Sequence, residues 1–400
     1  MADATATELL CGAPGSYRRP AIVPQTRPSS RKLIAAPGTA CTSPLRHHTV
    51  NSRKVFGFTT GEPNQHKPLV MISEKFTTKT LQAGRRDFTY QYFWHPSEST
   101  KKPTLAFFHG FPSTSKDWRR QLEHFADLGF GVIAPDLLGY GGSSKPDDVS
   151  AYNHRDMVDD VIKILDHEQI HRFHGISHDF GSHLMSRLYC YHPERLLSLT
   201  FISVPFMQPG VRFDLEAVNK RVKSLIGMEK FAYMDFFASS DSPPIVEAHL
   251  ESFHSLVYEQ DADLKAENFY PPGKLEAWLS SNRFGRQSIV DEEEKWRWLA
   301  EFRSGGFRGP TNWYRALLEN IHLSQESSDL AAGRMSSHVQ VPVLAIDSQP
   351  DKASVPGFME TALKASASQL SVKIVDAQGH WPHIIASSEV NKLIESHVSP

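Results

Sequence analysis

The stretch Gly175-Ile176-Ser177-His178-Asp179-Phe180-Gly181-Ser182 decides how the rest of the chain is read. It follows a short apolar run, Arg172-Phe173-His174-Gly175-Ile176, and leads into Leu184-Met185-Ser186-Arg187-Leu188, an apolar-faced segment that Pro193 ends. Strand, sharp turn and helix in that order make a nucleophile elbow. Such a turn is strained and leaves space only for small side chains two places before and two places after the nucleophile. Ser177 and Gly181 flank Asp179 in that way, whereas Ser177 as nucleophile would have Asp179 where a small residue is needed. The elbow therefore presents a carboxylate.

Around it lie 400 residues with a net charge of −2, enough for one large α/β domain with an insertion. The charge balance gives no reason to expect a nucleic-acid partner, and no apolar run is long enough to span a bilayer. Three cysteines (Cys11, Cys41 and Cys190) cannot build a disulfide framework, which points to a reducing, cytoplasmic setting. Residues 1–70 differ from the rest: they are rich in Pro, Ser, Thr and Arg, with no acid between Glu8 and Glu62. Their prolines would break the amphipathic helix of a mitochondrial import signal, so a disordered tail is expected there. Nothing in the sequence sets an oligomeric state.

From Phe88 onward strand and helix signals alternate, as in a mostly parallel sheet covered on both faces. Phe88–Trp94 alternates like an edge strand, while Thr104–Phe108, Phe130–Ala134, Leu199–Ser203, Val343–Asp347 and Ser371–Val375 are short apolar runs. The elbow strand falls in their middle. Between 207 and 321 the alternation stops, and helices are expected over Leu215–Ile226, Lys230–Phe237, Ile245–Tyr258, Asp291–Phe302 and Asn312–Ile321. Asp291 and Glu294 form a capping-box pattern at a solvated helix start. A helical insert of this kind between strands reads as a lid, giving a core of residues 71–206 and 322–400 with a lid over 207–321.

The carboxyl ends of the strands should carry the chemistry. After Phe108 comes His109-Gly110-Phe111-Pro112, a turn that can aim the Phe111 N–H into the crevice; with the N–H of Phe180 it would form an oxyanion hole. His109 is read as a structural turn residue. The order nucleophile, acid, histidine leads to His380 in Gly379-His380-Trp381, preferred over His383 and His397. The acid falls in Asp347-Ser348-Gln349-Pro350-Asp351; Asp347 still belongs to the strand, and Asp351 at the loop tip is favoured.

From about Lys75 to its end, the chain resembles α/β-hydrolase-fold epoxide hydrolases, in particular the hydrolase domain of soluble epoxide hydrolases. His109-Gly110-Phe111-Pro112 with Trp118 is similar to that family's oxyanion turn, and Asp136-Leu137-Leu138-Gly139-Tyr140-Gly141-Gly142-Ser143-Ser144 to its following loop. Ser177-His178-Asp179-Phe180-Gly181 resembles the family's G-H-D-W-G. Gly305-Gly306-Phe307-Arg308-Gly309-Pro310-Thr311-Asn312-Trp313-Tyr314-Arg315 and Phe231-Ala232-Tyr233-Met234 resemble the two segments that carry lid tyrosines.

The resemblance implies that Asp179 attacks an apolar epoxide to give an alkyl-enzyme ester while Tyr233 and Tyr314 donate to the ring oxygen. His380, held by Asp351, then activates water, and Phe111 and Phe180 hold the oxyanion. The product is a vicinal diol, and neither metal nor cofactor is called for. Phenols with an ordinary pKa of about 10 stay neutral at pH 7 and can serve as such donors. The sequence departs from the family at Phe180, where Trp is usual, and at Ser177, where Gly is usual. Phe180 keeps the main-chain N–H but lacks the indole with which a haloalkane dehalogenase holds its halide, and no Arg follows Asp179 as in a haloacetate dehalogenase. A related hydrolase, an epoxide cyclase and a catalytically silent binding protein remain the alternative readings. Tyr233 lies in the aromatic run Phe231–Phe237 and is read against a plain packing role. Trp278, Trp296 and Trp298 are read as packing residues.

Overall fold

The structure, a computed structural model, describes residues 75–399. The tail expected over residues 1–70 lies outside them. Eight strands form one sheet: β1 (Thr77–Ala83), β2 (Phe88–His95), β3 (Thr104–Phe108), β4 (Val132–Pro135), β5 (Phe173–His178), β6 (Leu196–Ile202), β7 (Val343–Gln349) and β8 (Leu370–Gln378). Their order is β1-β2-β4-β3-β5-β6-β7-β8. The β1–β2 and β2–β4 pairs are antiparallel, and all others are parallel. β3 and β5 are buried along their whole length, as continuous apolar runs under two helical layers should be. The mostly parallel α/β sheet expected from the alternation is the sheet observed, with the elbow strand β5 at its centre. β2 is not the edge: β1, whose Thr-Thr-Lys-Thr-Leu-Gln-Ala sequence is mostly exposed, pairs outside it.

Helices α1 (Arg119–Asp127), α2 (His154–His167) and α3 (Phe180–Tyr191) connect β3 to β4, β4 to β5 and β5 to β6. Two of these helices bury one stripe: Met157, Val158, Val161, Ile164 and Leu165 on α2, and Leu122, Phe125 and Ala126 on α1. α3 is buried throughout, which is why its sequence shows little polar alternation.

Between β6 and β7 the described chain is helical: α4 (Leu215–Ile226), α5 (Tyr233–Ala238), α6 (Ser242–Ala248), α7 (Leu250–Val257), α8 (Ala262–Asn268), α9 (Lys274–Ser280), α10 (Glu292–Gly305), α11 (Arg308–Leu318) and α12 (Leu323–Ala331). α4 has the bounds expected. The helix expected over Ile245–Tyr258 is two helices, broken at His249, whose backbone leaves the helical region at φ −123° and ψ 35°. α11 begins four residues before Asn312, with Pro310 in its first turn, where proline removes no helical hydrogen bond. Helices α8 and α9 were not expected; each is seven residues long, too short to show a periodic stripe.

The Asp291–Glu294 capping box forms, and Asp291 and Glu292 are exposed as a solvated helix start should be, but Glu294 is not. Glu294 is 6% exposed at its side chain and pairs with Arg120 (2.7 Å) and Arg119 (3.2 Å) of α1. Nearby, Thr114 Oγ1 donates to Glu301 Oε2 (3.1 Å), Lys116 pairs with Glu301, and Trp298 Nε1 donates to the Pro112 carbonyl (2.8 Å). The helical insert is thus tied to the turn that follows β3. Trp278 and Trp298 are buried packing residues, and Trp296 is 48% exposed.

A second tie joins α3 to α12. Arg187 donates to Glu326 through Nε (2.7 Å) and Nη2 (3.1 Å), with both side chains at most 3% exposed. Glu326 also accepts from the Gly210 N–H (2.8 Å) and lies 3.5 Å from His154 Nδ1. Burial raises its pKa, but the Arg187 charge and the hydrogen bonds from His154 and Arg187 outweigh that and hold the carboxyl well below its ordinary value. Because the folded value is depressed, this stabilisation is present above the unfolded carboxyl pKa and fades as pH falls toward the folded one. Glu326→Ala, which leaves Arg187 buried and unpaired, should cost about 3–5 kcal/mol. Urea unfolding of both proteins, at pH 7 and in acid, should show that difference shrinking as the solution is acidified.

Candidate active site

The sharp turn after β5 places Asp179 at φ 52° and ψ −127°, a region a non-glycine residue enters only at a cost of about 1–3 kcal/mol. The neighbours leave room for nothing larger than they have. A Cβ on Gly181 would collide with the carbonyl of Phe108, and one on Gly110 would press on the Asp179 side chain and the Phe180 nitrogen. Ser177 is fully buried, with its Oγ 3.0 Å from that of Ser182 and 3.3 Å from the Thr200 carbonyl. Asp179 is consequently lifted off the end of the sheet, its side chain 16% exposed.

Two groups meet the Asp179 carboxylate. The Phe111 N–H donates to Oδ1 (2.8 Å), and His380 Nε2 lies 3.3 Å from Oδ2. Burial alone would raise the Asp179 pKa. The hydrogen bond and charge of His380, then His178 and the Phe111 N–H, more than offset it and hold the carboxyl well below its ordinary value. His109 sits behind this turn: one ring nitrogen is 3.0 Å from the Gly110 carbonyl, and Nε2 accepts the Leu137 N–H (2.9 Å). With both nitrogens occupied and burial lowering its pKa, His109 is a neutral brace.

His380 follows β8 and Gly379, which has φ 86°. Three side chains fix its backbone. The Nε2 of His178 donates to the His380 carbonyl (2.7 Å), as does the Ser203 hydroxyl (3.2 Å), and the Ser348 hydroxyl donates to the Gly379 carbonyl (2.7 Å). None of the three was singled out from the sequence; the position beside Asp179 was the only available signal for His178. His383 is buried, its ring 4.4 Å from that of His178 and its carbonyl accepting from Gln121 (2.9 Å). His397 lies on the last helix, Ser387–Val398.

The two acids diverge. Asp347 lies in β7; burial raises its pKa, and the nearby positive groups that lower it include Lys230 and His380. Asp351 turns toward its own loop, its Oδ1 accepting from the Ala353 N–H (2.9 Å) and the Ser354 hydroxyl (2.8 Å). Among the described residues neither carboxylate hydrogen-bonds His380.

Above the carboxylate is a cavity of about 190 Å³, lined among others by Phe111, Asp179, Phe180, His380, Tyr233 and Tyr314. Tyr314 on α11 is 3% exposed, with ring centroids 5.0 Å from Phe111, 4.8 Å from Phe180 and 5.0 Å from Phe237, on which it stacks. Tyr233 opens α5, half-buried, 6.1 Å from Tyr314. Neither phenol has a hydrogen-bond partner among the described residues. Burial first, and the Asp179 charge among the further causes, push both well above the ordinary tyrosine pKa, so both are neutral donors at pH 7. Of the tryptophans only Trp381 lines the cavity, and its Nε1 donates to the Val257 carbonyl (3.1 Å).

The described residues contain one group spaced to hold a metal ion, His154, His322 and Glu326. Both oxygens of Glu326 are already engaged by Arg187, whose positive charge opposes a cation there.

Epoxide hydrolase A of Mycobacterium tuberculosis is 27% identical over 292 residues, covering 70% of this chain and 85% of that protein. Bifunctional epoxide hydrolase 2 of Sus scrofa is 26% identical over 314 residues, covering 75% of this chain and 52% of that protein, so the chain spans about half the length of that relative. The crystal structure of epoxide hydrolase A from Mycobacterium thermoresistibile superposes with a TM-score of 0.66 at 23% identity, covering 80% of this chain and 98% of that one. The family described as alpha/beta hydrolase fold matches residues 103–387. With most of its length matched, the chain belongs to the α/β hydrolase fold family.

Proposed function

We propose that the protein is an epoxide hydrolase that opens an epoxide to a vicinal diol through an aspartyl ester. One observation carries the reading: two phenols without a hydrogen-bond partner among the described residues line the same cavity as an ionised carboxylate that His380 contacts at 3.3 Å. A carboxylate nucleophile requires an alkylating electrophile, and an epoxide is a poor one unless its oxygen receives a proton as the C–O bond breaks. Tyr233 and Tyr314 supply that hydrogen bond or proton. The named relatives, one an epoxide hydrolase and one a bifunctional epoxide hydrolase, support the same activity.

In the first step a carboxylate oxygen of Asp179 attacks a ring carbon, the C–O bond opens, and the departing oxygen is protonated within the tyrosine pair. In the second, His380 takes a proton from water and the hydroxide adds to the ester carbonyl carbon. The N–H groups of Phe111 and Phe180 hold the oxyanion until the ester C–O bond breaks; the leaving alkoxide takes the proton from the His380 imidazolium to complete the diol, and the proton of the regenerated Asp179 carboxyl returns to the tyrosinate. Asp351 is the acid proposed to hold His380. Residues 207–321 serve as the lid over a core of 71–206 and 322–400, and a cytoplasmic location completes the reading. Halide release is less well served: the one cavity-lining indole N–H is committed to Val257.

Tyr314→Phe and Tyr233→Phe should each lower the rate of ester formation by about a hundredfold, the cost of one lost transition-state donor. Stopped-flow single turnover measures it, and a rate near wild type would return that tyrosine to a packing role. His380→Gln should trap the ester, visible as intact protein heavier by the mass of the epoxide. In the same assay Asp351→Asn should slow ester hydrolysis more than Asp347→Asn. The reverse order would make Asp347 the acid.

A further inference from the structure

The cavity has a charged end that the proposed reaction does not use. Lys265, on α8, is 5% exposed, and its ammonium has no hydrogen bond or ion pair among the described residues, yet it lines the cavity. A Cβ placed on Gly379, the residue before His380, would lie 3.2 Å from the Lys265 Nζ. Lys230, three residues before Tyr233, lines the same cavity, half-buried and likewise without an ion pair or hydrogen bond among the described residues. Its Nζ stands 5.9 Å from the rings of Phe231 and Tyr270.

Burying an ammonium without a contact partner is costly, by several kcal/mol. The acids around Lys265 are Asp351, Glu259 and Asp261, and those around Lys230 are Asp351 and Asp347. Most are committed elsewhere. Glu259 accepts from the N–H groups of Asp261 (3.0 Å), Gln287 (3.2 Å) and Arg286, and Asp261 caps α8 through Asp263 and Leu264. Asp351 accepts from Ala353 and Ser354 at Oδ1, and no acid forms an ion pair with either lysine among the described residues. They lend the lysines a favourable field and leave the contact positions to a ligand. Burial lowers the Lys265 pKa to about 8, which still leaves it mostly charged at neutral pH. Much of the remaining lining is apolar, with Met207, Phe213, Val218, Met234 and Leu317.

We propose, building on the epoxide-opening reading, that Lys265 and Lys230 form an anion subsite that seats a carboxylate on the substrate, which makes the substrate a short epoxy acid. The tether is short because Lys265 abuts the glycine beside His380, and the anion is singly charged because Asp347 and Asp351 offset part of the lysine field. The apolar lining takes the substituent on the other ring carbon.

The test uses 3-phenylglycidate and its amide as substrates, their diols as unreactive ligands, and styrene oxide as a neutral epoxide. By calorimetry the wild type should bind the diol acid about tenfold tighter than the diol amide, the worth of one charge-assisted hydrogen bond. In Lys265→Met and Lys230→Met the acid-to-amide ratio should fall toward one, with Lys265→Arg restoring part of it; kcat/KM for the two epoxides should follow the same ratios. Equal binding of acid and amide by the wild type, or a ratio unchanged in both methionine variants, overturns the subsite. Failure of the wild type to open styrene oxide, phenylglycidate or its amide while it still prefers the diol acid would keep the subsite and overturn the epoxide reaction instead.

Discussion

The backbone of Asp179, held at φ 52° where an L-residue is strained, is the constraint on which the rest of the molecule depends. The strain persists because β5 is paired on both sides and buried throughout, and because Gly110 and Gly181 leave the space the turn requires. The result is a carboxylate lifted clear of the sheet, one oxygen on the Phe111 N–H and the other near His380. Those contacts keep it ionised despite burial. The proposed role of Asp179 as a nucleophile requires that ionised state, and the turn geometry and the electrostatics both favour it.

The helical insert matters for the same carboxylate. Glu294 with Arg119 and Arg120, Glu301 with Lys116, and Trp298 with the Pro112 carbonyl tie α10 to the turn that holds Phe111. α11 follows α10 after a short break, and it carries Tyr314 into contact with both Phe111 and Phe180. The Tyr314 side and the Asp179 side of the cavity are thereby set relative to each other by a chain of ion pairs, hydrogen bonds and ring contacts. A packed aromatic cluster, Phe237, Phe253 and Phe307 around Phe111, fills the space between.

The elbow, the central strands and α4 were legible because continuous apolar runs and small residues around an aspartate leave a local signal. What was not legible is non-local or short. β1 reads as polar because only its last residue is fully buried. Glu294 looks like a solvated cap until partners 174 and 175 positions away close over it. For the proposed acid, position favoured Asp351 over Asp347, but local sequence could not show what each would meet: Asp347 ends up in β7 among charges that include Lys230, and Asp351 turns to the backbone and hydroxyl of its own loop. Tyr233 and Tyr314 emerged through resemblance, and Lys265 through neither route. A lysine on a seven-residue helix reads as a surface residue until the fold buries it beside Gly379.

The central claim is that Asp179 forms an ester that water opens at the carboxyl carbon. A single turnover with excess enzyme in ¹⁸O-labelled water, followed by mass spectrometry of the peptide containing Asp179, reads this directly. Label entering the Asp179 carboxylate, with the first-turnover diol unlabelled, is the result predicted. Label in the diol with none in Asp179 would mean that water attacks the epoxide itself, and the account would be contradicted at its centre.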